Sequence, residues 1–272
     1  LKFPHDIVPE KPGTDVVLVG TAHPPQPDMD RWDATLAIKA PHGMISKTLS
    51  IYGARVWTQT VTGIAPGPPA KARPTPLQYE LSYGGHTPEE SEERNPSGTG
   101  FPRSTALIGQ PAPAIEDPQA PLASSSPVPA GFGPIHSYWM PRSGFAGSSE
   151  ERHMPLPAAD FDPRHYSCAS PGLWTEAPLV GDEPVLIAGV KREGTWRFQL
   201  PAWRPMLLVA RGGSMSDHLP HLDTFLIDAD ESRVELVWRM SIRIDRRAPH
   251  FEAVYVIDHG DEDLEALARH PS

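Results

Sequence analysis

The chain has a single cysteine, Cys168, so no internal disulfide can form and nothing implies an oxidising compartment. No cationic cluster larger than Asp245-Arg246-Arg247 occurs, and the formal charge is -10. Without a concentrated basic surface, a nucleic-acid or anionic-membrane partner is disfavoured. The longest apolar runs are far too short to span a bilayer. Also absent are a G-x-S-x-G elbow, a phosphate loop, a paired C-x-x-C and a dinucleotide fingerprint, so the main enzyme classes lose their usual support. Room for long helices is scarce too, because 34 prolines, more than twice the average usage of about 5%, are spread over the first two-thirds of the 272 residues.

What remains is an all-β reading: an antiparallel β-sandwich or distorted barrel, with a long proline-rich ordered coil and a short C-terminal helix over 261–269. The chain is expected to be one domain, 1–272, with possible sub-lobes 1–100 and 182–272 bridged by the coil 101–181. Asp15–Gly20 is an apolar run bounded by turn residues and predicts a buried strand. Residues 34–39 and 48–57 predict a hairpin turning at His42-Gly43, with Gly53 marking a bulge or a close backbone approach. Further strands are expected at 184–190 and 195–200 around a Lys191–Gly194 turn, and at 206–211, 221–228 and 251–257. Arg233–Asp245 has the cleanest alternation, with Val234, Leu236, Trp238, Met240, Ile242 and Ile244 on one parity, and predicts a long strand with one wet face. Within the coil, Phe132, Tyr138, Trp139, Phe161, Tyr166 and Trp174 favour order over a disordered linker.

The stretch from Leu77 to Gly100 gathers the most unusual residues. Tyr79, Leu81 and Tyr83 alternate with Gln78, Glu80 and Ser82, which predicts a short strand ended by Gly84-Gly85. A shaped loop follows, with the solvated run Glu89-Glu90-Ser91-Glu92-Glu93 and the turn Asn95-Pro96-Ser97-Gly98. Glu80 is a candidate acid or base with His86 or Asp160, or a partner for Arg55, Arg142 or Arg239. Asp160-Phe161-Asp162, close to His165 and Cys168, reads first as a capped turn pinning the coil and second as a nucleophile site. Asp217-His218 and His221-Leu222-Asp223 have metal-ligand residue types, but the spacing argues for a capped turn, and no metal or cofactor is expected.

Phe3-Pro4-His5-Asp6, Gly53-Ala54-Arg55-Val56-Trp57, Tyr79–Gly85 and Asn95–Gly100, followed by Gly131-Phe132-Gly133-Pro134, Trp139-Met140-Pro141-Arg142, Asp160-Phe161-Asp162, Asp223-Thr224 and Trp238-Arg239, form an ordered series. That series resembles a bacterial domain-of-unknown-function family encoded beside type VI secretion genes. The resemblance covers nearly the whole chain and departs at 143–153, where Gly144–Glu151 replaces a more aromatic segment. It implies a cytoplasmic, non-catalytic adaptor or chaperone that holds a secreted effector toxin and helps load it onto the spike protein. The candidate partner surface is then Tyr83, His86, Asn95, Phe132, Trp139 and Arg142. Tyr79, Glu80, Gly84, Gly85, Gly98, Asp160, Phe161, Asp162, Asp223, Trp238 and Arg239 are the motif positions expected to hold the fold. The alternative is a hydrolase acting on carbohydrate or peptide through Glu80, Asp160 and Asp162.

Overall fold

In the computed structural model, which describes residues 11–148, 157–242 and 252–258, alternation and apolar runs lay down twelve strands of four or more residues. They are β1 Asp15–Val19, β2 Arg31–Ala40, β3 Gly43–Tyr52, β4 Trp57–Thr60, β5 Gly63–Pro66, β6 Pro184–Lys191, β7 Gly194–Gln199, β8 Pro205–Arg211, β9 Ser214–His218, β10 His221–Asp228, β11 Arg233–Arg239 and β12 Ala253–Asp258. The fold is all-β, and the described strands close no barrel.

A five-stranded antiparallel sheet runs in the order Ile115–Glu116, β3, β2, β6, β7. In β2, Trp32, Ala34, Leu36 and Ile38 are buried while Arg31, Asp33 and Lys39 are exposed, so the pleat expected over 34–39 starts three residues earlier. A second sheet has the order β1, β10, β11, with β1 parallel to β10. The two sheets share one core that joins Val16 and Leu18 to Leu36, Ile38, Leu49, Ile51, Val185, Phe225 and Ile227. Each fully buried aliphatic side chain of this kind contributes about 1.5–3 kcal/mol. A third sheet, β9, β8, β12, completes the larger assemblies. The N-terminal β2 and β3 lie in one sheet with the C-terminal β6 and β7, and β1 pairs with β10, so two of the three larger sheets draw strands from both sequence halves.

The proline-rich coil is structural. β1 is buried along its whole length, which leaves no water for its second edge. The coil supplies the partners: Val16 N–H donates to the Leu173 carbonyl at 2.8 Å and Leu18 N–H to the Phe132 carbonyl at 3.2 Å. Tyr52 and Trp57 likewise donate to Ala114 and Gln110. The non-proline residues of the coil carry these bonds, and at such contacts the carbonyl accepts without need of an amide hydrogen.

Three expectations change. Tyr79–Leu81 forms a 3-10 turn, and only Tyr83–Gly84 is strand, paired in parallel with Thr99–Gly100. The long strand expected over 233–245 ends at Arg239, with Met240–Ile242 irregular and 243–245 outside the described residues. Gly53 ends β3 without a bulge: a Cβ there would collide with the Ala70 carbonyl, so the close approach is the operative requirement. The helix expected over 261–269 and the lead-in 1–10 lie outside the described residues.

Candidate functional site

Asn95 organises the Leu77–Gly100 stretch from the inside. Its side chain is fully buried, and its amide nitrogen donates to the carbonyls of Tyr79 at 3.0 Å and Tyr83 at 3.1 Å and to Ser82 Oγ at 3.2 Å. Ser82 Oγ in turn donates to the Tyr79 carbonyl at 2.7 Å. These side-chain donors satisfy carbonyls that a strand would have offered to a ladder, which is why the segment turns at Tyr79. The Asn95 carbonyl accepts from both Gly85 and Gly98 amides. Gly84 packs against Asn95 so closely that a Cβ would strike its carbonyl oxygen, and a Cβ on Gly98 would meet the Asn95 amide and the Gly84 backbone. Gly84 and Gly85 both hold positive φ, at 159° and 121°. The motif therefore specifies a locked loop.

Of the six residues singled out as partner contacts, four face inward. Asn95 is the lock itself. Tyr83 packs edge-on against Phe101 in a small core with Trp57, Ile64 and Leu122, and burial raises its pKa. Phe132 is fully buried beside β1. Arg142, also buried, braces the coil by donating to the carbonyls of Ile135 at 2.8 Å and His165 at 3.0 Å. Only His86 and Trp139 reach solvent. His86 Nδ1 lies 3.0 Å from the Pro96 carbonyl, and the Trp139 ring sits 6.2 Å from that of buried Tyr79.

The carboxylates considered for catalysis are dispersed in role. Asp162 caps the 3-10 turn Pro163–Tyr166 through the Arg164 amide at 2.9 Å and pairs with the Arg164 side chain, which holds its pKa below the usual range. Asp160 accepts from the Ser148 amide and hydroxyl, both at 2.8 Å. Phe161 packs against Tyr166 at 5.0 Å. Glu80 is exposed and meets none of the arginines proposed for it: Arg55 pairs with Glu116, Arg239 with Asp223, and Arg142 is bound to carbonyls. Glu80 lines a groove of about 530 Å³ with Gly20, Leu77, Tyr79, Pro134 and Asp230. Among the described residues no three His, Cys, Asp or Glu side chains gather as metal ligands.

Asp223 and Arg239 instead belong to a buried ionic knot that the sequence did not reveal. Lys11 Nζ lies 2.7 Å from Asp15 Oδ2 and 3.2 Å from Asp223 Oδ2, and Arg239 Nε lies 2.8 Å from Asp223 Oδ1. Cys168 N–H donates to Asp15 Oδ2 at 2.7 Å, tying the coil in. Burial opposes the Lys11 charge, yet Asp15, Cys168 and Asp223 outweigh it and raise its pKa. Burial likewise pushes Asp223 up, while Arg239, Lys11 and Thr224 bring it below the usual carboxylate value. A charge series spread over residues 11, 15, 223 and 239 has no local signature. Next to the knot, Trp238 stands edge-on to Trp203 at 6.2 Å and covers Gly181, whose φ is 94°.

The family model for an uncharacterized protein conserved in bacteria, DUF2169, matches residues 1–239. The chain belongs to the DUF2169 family. No curated protein and no solved structure shows a match. The DUF2169 match ends at Arg239, the last residue of the ionic knot, and β12 lies beyond it. No helix among the described residues is long and apolar enough to cross a membrane.

Around Trp139, which the sequence singled out, the outward segment His136–Met140 adds two rings that it did not assign to the surface, those of His136 and Tyr138. Tyr138 is 82% exposed, and its ring stacks on that of His136 at 5.1 Å with an interplanar angle of 23°. His136 also lies 6.2 Å from Trp139, so three rings form a shelf standing on buried Tyr79. The available signal was three aromatic-type residues within four positions of a coil.

Proposed function

We propose that this chain is a non-catalytic adaptor that binds a secreted effector and helps load it onto the spike protein of a type VI secretion apparatus, acting in the cytoplasm before export. The observation that carries the binding part is the aromatic shelf: an exposed, pre-stacked set of rings mounted on a locked loop gains contact area on association and loses little conformational freedom. The ordered coil extends the same economy to the surface around it. The secretion part rests on the ordered motif series, since the family description names no partner. A hydrolase has less support, because Asp160 and Asp162 are engaged in holding turns and, among the described residues, no acidic or basic side chain is bonded to Glu80.

Deleting the gene in a host that secretes the adjacent toxin-like protein tests this reading. Loss of that protein from the medium, with secretion of other spike cargo intact and rescue by the plasmid-borne chain, is the expected result. Undiminished secretion of every cargo would rule the loading role out.

A further inference from the structure

The shelf is flanked by a distinctive electrostatic neighbour. Met140 N–H donates to the Glu93 carbonyl at 2.9 Å, which seats the Glu89–Glu93 loop beside the rings. That loop is held in shape: Thr87 Oγ1 accepts from the Glu89 and Glu90 amides at 3.3 and 3.1 Å, Thr87 N–H donates to the Glu90 carbonyl at 2.7 Å, and Glu92 N–H donates to the Gly85 carbonyl at 2.9 Å. Its own cation is used up, because Arg94 makes two bonds of 2.6 Å to Glu92. Glu89, Glu90 and Glu93 are exposed and form no ion pair among the described residues. A solvated acidic tip needs neither the fixed backbone nor the adjoining stack of rings.

We propose that the His136–Trp139 shelf and the Glu89–Glu93 loop together bind an arginine-bearing segment of a protein partner. The planar guanidinium stacks on the Tyr138 face while its N–H groups meet the unpaired carboxylates. Arginine fits better than lysine because it combines a flat, weakly hydrated cation with forked donors. This rests on the adaptor reading and names the chemistry of the segment that the cargo presents.

The test titrates the full chain at physiological salt with a fluorescent nine-residue peptide carrying three arginines, and with its lysine counterpart, by anisotropy. Three variants are compared: Tyr138→Ala, the triple Glu89→Gln/Glu90→Gln/Glu93→Gln, and a control triple Glu193→Gln/Asp217→Asn/Glu231→Gln that removes the same charge from other exposed positions. The arginine peptide is expected to bind more tightly than the lysine one, with Tyr138→Ala and the loop triple each weakening it about fivefold or more and the control triple having little effect. Equal weakening by both triples, or arginine binding indifferent to Tyr138, overturns the proposal. Effector that co-purifies equally with wild type, Tyr138→Ala and the loop triple removes the shelf and leaves the adaptor reading standing. Tyr138-dependent peptide binding without any effector complex does the reverse.

Discussion

Replacing Asn95 with alanine probes the part of the molecule that makes the shelf possible. The substitution removes an amide that bonds to the carbonyls of Tyr79 and Tyr83 and to Ser82 Oγ inside a site closed to water. Two hydrogens serve those three acceptors, so about two bonds of roughly 1 kcal/mol each are lost, and at least one buried carbonyl is left unsatisfied at a further cost of about 1–3 kcal/mol. The expected loss is therefore about 3–5 kcal/mol, read as a lower urea midpoint with an unchanged slope. For a chain of this size each kcal/mol moves the melting temperature by about 2–4 °C. Asn95→Asp should be worse, since it faces carbonyl oxygens with a carboxylate instead of a donor. A change in Asn95→Ala below about 0.5 kcal/mol, the range of an ordinary surface substitution, would falsify the view that this side chain replaces a strand ladder.

Asp223→Asn strips the carboxylate shared by Lys11 and Arg239 from a buried knot and should cost about 3 kcal/mol by urea titration, with Lys11 keeping its pair with Asp15. In the wild type, the lowered Asp223 contributes stability that is full above its ordinary value of 3.8 and disappears as the pH falls through the folded value below it; a stability profile without an acid limb sensitive to Asp223→Asn would contradict this. Lys47, packed against Ser170 Oγ and the Pro171 carbonyl, is pushed down to about 8 by burial from 10.5. Between those two pH values the unfolded chain holds a proton that the folded chain has released, so stability should rise with pH across that window, and Lys47→Met should remove the rise. Gly84→Ala should give poorly folded protein, as its added Cβ meets the Asn95 carbonyl at a positive φ; a variant with wild-type melting would show that the loop can open there.

Where the sequence was legible, the physics was local. The alternation of Leu36 and Ile38 needs only the pleat of one strand, although β2 starts at Arg31, ahead of the expected 34–39, and the Lys191–Gly194 turn joins β6 to β7 as its residues suggest. The aromatics of the coil correctly signalled order, since Phe132 is fully buried and the residue's carbonyl serves the edge of β1. The turn at Tyr79 escaped because its cause, Asn95, lies 16 positions away and acts through a side-chain amide that competes with the backbone. A far larger separation in sequence hid Lys11 from Asp223. Arg142 and Asn95, expected as partner contacts from the resemblance, instead serve as internal donors, because loop carbonyls outside a ladder recruit such side chains. His136 and Tyr138 form the shelf through ring stacking that no periodicity encodes.

The adaptor reading is tested most directly by co-expressing this chain with the toxin-like protein encoded beside it, purifying through a tag on this chain alone, and measuring the eluted mass by size-exclusion chromatography with light scattering. Co-elution at a fixed stoichiometry is the predicted result. A chain that elutes alone while the toxin-like protein remains soluble contradicts it.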